Sequence, residues 1–82
     1  MILADEIREY AYVCFIKTAR RKGSSTVEFS ATIIHKGMGL ANQFPAVCSA
    51  IDAQKFLEYA DVTLLNRSGP HQSTTVKWVF QV

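Results

Sequence analysis

Residues 38–47 read MGLANQFPAV, and the spacing of their glycine, polar pair and proline among apolar positions decides the fold. Upstream, Ala31, Ile33, Ile34 and Met38 follow helical spacing behind Ser30, a residue type that caps helix starts. Gly37 weakens this short helix and Gly39 stops it, glycine being the usual left-handed terminator. Leu40 then turns inward. Asn42 is a competent N-cap for a second helix, and Pro45 falls in its first turn, where amides have no intrahelical partner to lose. The stretch therefore ends one helix, turns through Leu40 and Ala41, and starts another over about Asn42–Ile51, with Phe44, Val47 and Cys48 directed to the core.

Working outward, Ile7, Tyr10, Ala11, Cys14, Phe15 and Thr18 recur at helical spacing, with Leu3 and Val13 widening the stripe. They predict one long amphipathic helix from Ile2 to about Arg21, closed by Gly23 after a basic last turn. Thr26–Phe29 is short and β-branched, a brief strand. Downstream, Asp52 can cap a further helical segment, Ala53–Ala60, that offers Phe56, Leu57 and Tyr59 for packing. The period then changes to two. Val62, Leu64 and Leu65 make a strand, Asn66–Gln72 a polar loop, and Val76, Trp78, Phe80 and Val82 alternate with Lys77, Val79 and Gln81 on a return strand. That alternation makes Trp78 a core residue and not a base-stacking platform. The expected architecture is α+β, a single winged helix-turn-helix domain over residues 1–82: helix, short strand, helix, turn, helix and a C-terminal β-hairpin wing, the first strand pairing with the hairpin.

Composition narrows the function. With 82 residues, 49% of them hydrophobic and 20% charged, the chain suits one ordered domain and has no room for a second. MILADEIREY lacks the basic flank and apolar run of a signal peptide, and no stretch reaches the ~20 apolar residues of a membrane span. A cytoplasmic protein without membrane contact is expected. Cys14 and Cys48 lie among apolar helical positions and are expected to be buried free thiols. With His35 and His71 they show neither CxxC nor HxxxH spacing, so no metal and no cofactor is expected. No glycine-rich phosphate loop is present, and nothing local links Cys14, His35 or Ser49 as nucleophile and base. A non-catalytic protein with no small-molecule substrate follows.

The run HKGMGLANQFPAVCSAI (residues 35–51), followed by KFLEYADVTLLNRSGPHQSTTVKWVF (residues 55–80), resembles a prokaryotic family of small winged-helix domains, many of them archaeal. The resemblance extends from Ile7 to Phe80. Its distinctive positions are Gly39, Leu40, Pro45, Ala46, Val47 and Cys48 at the corner, and Gly69 and Pro70 in the loop. An acidic residue commonly precedes the second-helix histidine in that family, whereas Ile33 and Ile34 precede His35 here. The resemblance implies a winged-helix fold and a setting beside restriction-type ATPases and nucleases that act on foreign or modified DNA.

In a helix-turn-helix the second helix enters the major groove and its first side chains meet base edges. Here these are Asn42, Gln43, Ala46, Ser49 and Ala50. Asn and Gln can pair two-pronged with adenine, although Asn42 also reads as a cap and Gln43 as a plain solvent-facing residue. No arginine or lysine lies between Asn42 and Gln54. Phosphate contacts are therefore assigned to Lys36, Lys55, Lys77, Arg20, Arg21 and Lys22, each of which equally reads as a solubility charge. The wing, about Arg67–Thr75, adds Arg67, Ser68, His71, Gln72 and Ser73, and an arginine on such a tip can enter a minor groove. Asp5, Glu6 and Glu9 crowd the start of the first helix and Lys17, Arg20, Arg21 and Lys22 its end, a pattern that either faces phosphates or complements the helix macrodipole. The expected function is DNA binding, duplex favoured. The alternative is a protein-interaction winged helix that forms a homodimer, or docks on a larger restriction-type partner, through first-helix residues such as Tyr12 and Phe15. A net charge of +2 leaves both open.

Overall fold

The computed structural model describes residues 2–82; Met1, the first residue of the expected domain, lies outside them. Leu3–Ala11 (α1), a π-helical turn Tyr12–Ile16 and Lys17–Arg21 (α2) run on as one helix, with helical dihedrals at both junctions. The Lys17 N–H donates to the Tyr12 carbonyl, five residues back. This wider turn changes which residues face inward. On a strict 3.6-residue period Cys14 shares a face with Ile7 and Ala11; with one extra residue in the turn, the inward positions become Ile7, Ala11, Ile16 and Ala19, all buried. Cys14 is exposed, contrary to the sequence expectation. Phe15 and Tyr12 are half-buried: Phe15 stacks on Phe29 at 4.8 Å, and Tyr12 meets Tyr59 edge-on at 5.4 Å.

Ser24 donates its N–H to the Ala19 carbonyl and closes α2 behind Gly23. The strand Thr26–Ser30 (β1) leads directly into Ala31–Gly37 (α3), where Ser30 Oγ accepts from the Ile33 N–H at 3.2 Å, the cap read from sequence. After the turn come Phe44–Asp52 (α4) and Gln54–Ala60 (α5), separated only by Ala53 with extended backbone. Asn42 is not the cap of α4. It occupies the left-handed region (φ 55°), which asparagine tolerates, and completes the turn, while Gln43 takes the cap position.

Thr63–Ser68 (β2) and Lys77–Gln81 (β3) form the hairpin, and β1 pairs with β3, giving a three-stranded antiparallel sheet ordered β1-β3-β2. Asn66, Arg67 and Ser68, expected in the loop, are paired with Val79, Trp78 and Lys77. Leu65 is an extra residue bulged between Leu64 and Asn66, which breaks the two-residue alternation and hides the strand's true end from the sequence.

Phe29, Trp78 and Phe80 fill the sheet's inner face, packed with Phe56, which meets Phe80 edge-on, and with Ile7, Ile34, Val47 and Ile51 from the helices. Each such side chain contributes on the order of 1.5–3 kcal/mol by leaving water. Trp78 is fully buried because its Nε1–H donates to Asp52 Oδ1 at 2.7 Å. The same carboxylate accepts from Arg67 Nε at 2.9 Å and Nη2 at 3.0 Å. Asp52 is thus not a cap for α5, which starts without a side-chain cap; it ties the end of α4 to the hairpin. Gly69 begins the hairpin loop at φ 99°, where an added Cβ would lie 2.7 Å from the Thr75 carbonyl oxygen.

Asp52→Ala leaves an indole N–H and a guanidinium without their acceptor. With the two charged side chains 23% and 28% exposed, the expected loss is about 2 kcal/mol, measured by urea unfolding, and Asp52→Asn should lose less because it keeps an acceptor for Trp78. Gly69→Ala adds both backbone strain and a steric clash, and should cost more than ~1 kcal/mol in the same assay.

Candidate nucleic-acid interface

The corner between α3 and α4 is held by His35. Its ring stacks on Phe44 with centroids 4.0 Å apart and planes 7° from parallel. Its Nε2 accepts the Gln43 backbone N–H at 3.2 Å, so one orphan donor at the start of α4 is satisfied by the imidazole. Helix α4 buries Val47, Cys48, Ala50 and Ile51 and turns Pro45, Ser49 and Asp52 outward. Ala50, read from sequence as a base contact, is 1% exposed, and its carbonyl accepts from Arg8 Nε at 3.0 Å. The register of α4 against α1 removes it from any outer surface. Ala46 is half-buried.

The hairpin loop does not project as a free wing tip but folds onto α3 and α4. Gln72 Nε2 donates to Ser49 Oγ at 2.8 Å. The Cys48 thiol points at the Ser73 carbonyl, 3.7 Å away, and Thr32 Oγ1 donates to the Thr74 carbonyl at 2.7 Å. Within the loop, Ser73 Oγ accepts the Thr75 N–H at 3.2 Å. Gln72 has left-handed backbone (φ 52°), an uncommon state for a non-glycine residue, maintained alongside its bond to Ser49. Ser49, Gln72, Ser73, Thr74 and Thr32 consequently form one continuous polar surface, with Lys36 one turn beyond Thr32 on α3. His71 and Ser68 are exposed nearby in sequence.

Most of the cations expected to join this surface are elsewhere. The Arg67 guanidinium is engaged by Asp52 and by the Gly69 carbonyl at 3.3 Å; hydrogen bonding to that carboxylate holds its pKa above the ordinary arginine value. It is an internal tie, not a free wing charge. Arg20 donates to the carbonyls of Ala60 and Asp61 at 3.0 and 2.6 Å, closing the end of α5. Lys55 lies 3.8 Å from Asp5. Lys77 alternates with buried Trp78 and so sits on the sheet's outer face, in register with Ser30 and Ser68. Arg21 and Lys22 are exposed at the far end of the first helix. The structure therefore brings Ser49, Gln72 and Ser73 together with Thr32, leaves Lys36 exposed one turn along α3 from Thr32, and ties Arg67, Arg20 and Lys55 to partners elsewhere. Thr32, His35 and Asp52 are the contributors that sequence reading missed; only the four-residue spacing of Thr32 and Lys36 hinted at a shared face.

Burial pushes the Cys48 thiol pKa up, the Asp52 charge raises it further, and Arg67 partly offsets both. Cys48 is packed in the core with its thiol directed at the Ser73 carbonyl. Among the described residues no three histidine, cysteine or acidic side chains gather as a metal site, and no helix is long and apolar enough to cross a membrane. Comparison of the chain with protein-family models, curated proteins and solved structures yields no match.

Gln72→Ala should cost less than ~1 kcal/mol in global stability, since the lost bond is solvent-exposed. It should nonetheless accelerate amide hydrogen exchange across residues 71–75, because the loop loses one of its three side-chain ties to the helices. Unchanged exchange would mean that the Ser49 bond does not order the loop.

Proposed function

We propose that the chain is a winged-helix domain that binds duplex DNA through the polar surface shared by α4 and the hairpin loop. The order of elements, the tight α3–α4 corner and the β1-β3-β2 pairing all fit that fold. The observation that carries the reading is the Gln72–Ser49 bond, which fuses loop and helix into one hydrogen-bonding surface. On it the Gln72 carbonyl and the Ser49 hydroxyl face base edges, Gln43 stands at the start of α4, and Lys36 meets a phosphate. The surface is pre-organised, so little ordering entropy is lost on binding.

This reading differs from a strongly basic groove binder in one measurable respect. With Arg67 and Arg20 engaged internally, few phosphates are neutralised, and the salt dependence should be shallow. A second reading, docking on a protein, is favoured by those same engaged arginines and by the exposed apolar side chains Val13, Tyr59 and Leu65, which are 47%, 50% and 51% accessible.

Titration with a short duplex at several ionic strengths separates the two. DNA binding through this surface predicts a log–log slope of only about −1, corresponding to the one phosphate that Lys36 neutralises. Lys36→Ala should flatten the slope by about one unit, whereas Arg67→Ala should leave it unchanged in the fraction that remains folded. Absence of binding at roughly 25 mM salt, where phosphate contacts are strongest, would overturn the DNA reading in favour of the second.

A further inference from the structure

The outer face of the first helix carries an arrangement that the α4 surface does not use. Along the helix, Ile2, Glu6, Glu9, Val13, Lys17 and Arg21 are all exposed and recur at spacings of three and four. The π turn keeps Val13, Lys17 and Arg21 in line with the acidic residues, because it adds the residue that a spacing of four needs to stay on one side. The row is acidic in its first half, basic in its second, and apolar at the middle, where Val13 borders a groove of about 370 Å³ that also takes in Tyr10, Cys14 and Met38. The side chains of Glu6, Glu9, Lys17 and Arg21 form no ion pair or hydrogen bond within the described residues; the ion pairs of the fold use Asp5, Arg8, Lys55, Asp52 and Arg67 instead. The macrodipole accounts for an acid in the first turn and a base in the last, but it decays within a turn. It explains neither Glu9 and Lys17 nor their alignment in a single row.

We infer that this face is a homodimer interface, in which the first helices of two copies pack antiparallel about a two-fold axis passing between Val13 and Cys14. That axis sets Glu6 of one copy opposite Arg21 of the second and Glu9 beside Lys17, with Val13 and Cys14 at the centre. Both halves of the row are satisfied at once, as an isologous contact requires. A parallel arrangement would oppose acid to acid and base to base, so the charge order selects the antiparallel one. The apolar middle supplies the water-excluding part of the contact, and the charged ends fix orientation and register. Ile7 and Ala11, on the other side of the helix from the row, are buried in the core that α1 shares with α4, so the dimer does not use the α4 and loop surface and does not depend on what that surface binds.

The test is sedimentation equilibrium over a concentration series reaching the millimolar range. The wild-type chain should dimerise, and an increase in salt of about tenfold should weaken the dimer by about tenfold, because the pairs at the rim become screened. Glu6→Lys with Glu9→Lys gives an all-basic row, and Lys17→Glu with Arg21→Glu an all-acidic one. Each double variant should be monomeric alone, and an equimolar mixture should form heterodimers. A short bifunctional maleimide should cross-link the wild type through Cys14, and Cys14→Ser should abolish the product, Cys48 being sealed in the core. The four substituted positions are exposed, and circular dichroism checks that both double variants stay folded. A wild type that remains monomeric throughout, charge-reversed chains that still self-associate, a mixture that does not pair, or a dimer that Cys14 cannot cross-link would each overturn the inference.

Discussion

The Asp52 carboxylate joins three elements that are distant in sequence. It receives the indole N–H of Trp78 and two N–H groups of Arg67, so the end of α4, the start of β3 and the end of β2 meet at one pair of oxygens. Several other features depend on this. Trp78 can be fully buried because its one polar atom has an acceptor. The hairpin, which would be marginal alone, is clamped against the helices at its loop end. The loop beyond Gly69 is thereby brought within reach of α4, and the Gln72–Ser49 and Thr32–Thr74 bonds can form. Charge-assisted bonds to a planar guanidinium are both strong and directional, which is why a single acid can set this geometry.

Arginine is used here mainly to finish secondary structure. The last carbonyls of a helix have no intrahelical donors, and in this fold two of the helix ends are reached from the first helix: Arg8 bonds the Ala50 carbonyl late in α4, and Arg20 bonds those of Ala60 and Asp61 behind α5. With Arg67 bound to Asp52, three of the four arginines act inside the molecule. Their fork of donors suits that work better than a lysine ammonium would. The lysines, by contrast, remain on the surface, and the α4 face presents hydroxyl and amide groups with Lys36 as its nearest cation. Net charge alone therefore overstates the positive field available to a ligand.

The π turn has consequences on both sides of the first helix. Inward, it lets Ile16 and Ala19 continue the packing begun by Ile7 and Ala11. Outward, it exposes Cys14 and keeps the charged row straight over the length of the helix, about 28 Å at 1.5 Å per residue. One inserted residue thus sets both the core contact and the outer face.

The order of helices and strands, the Ser30 cap, the stop at Gly39, the place of Pro45 and the inward alternation of Trp78 were legible in the sequence, because each is governed by neighbours within a turn or a strand repeat. What escaped were features set by long-range partners or by a shift of one residue. Asp52 looks like a cap because its partners lie 15 and 26 residues away; Arg67 looks free for the same reason; Cys14 and the end of β2 were misplaced by a π turn and a bulge, which alter periodicity without changing composition. Local backbone chemistry and hydrophobic spacing determined the elements by themselves. Which polar side chains stay free to meet a ligand was decided only by tertiary structure, since a buried or strained donor takes whichever acceptor the packing brings within 3 Å.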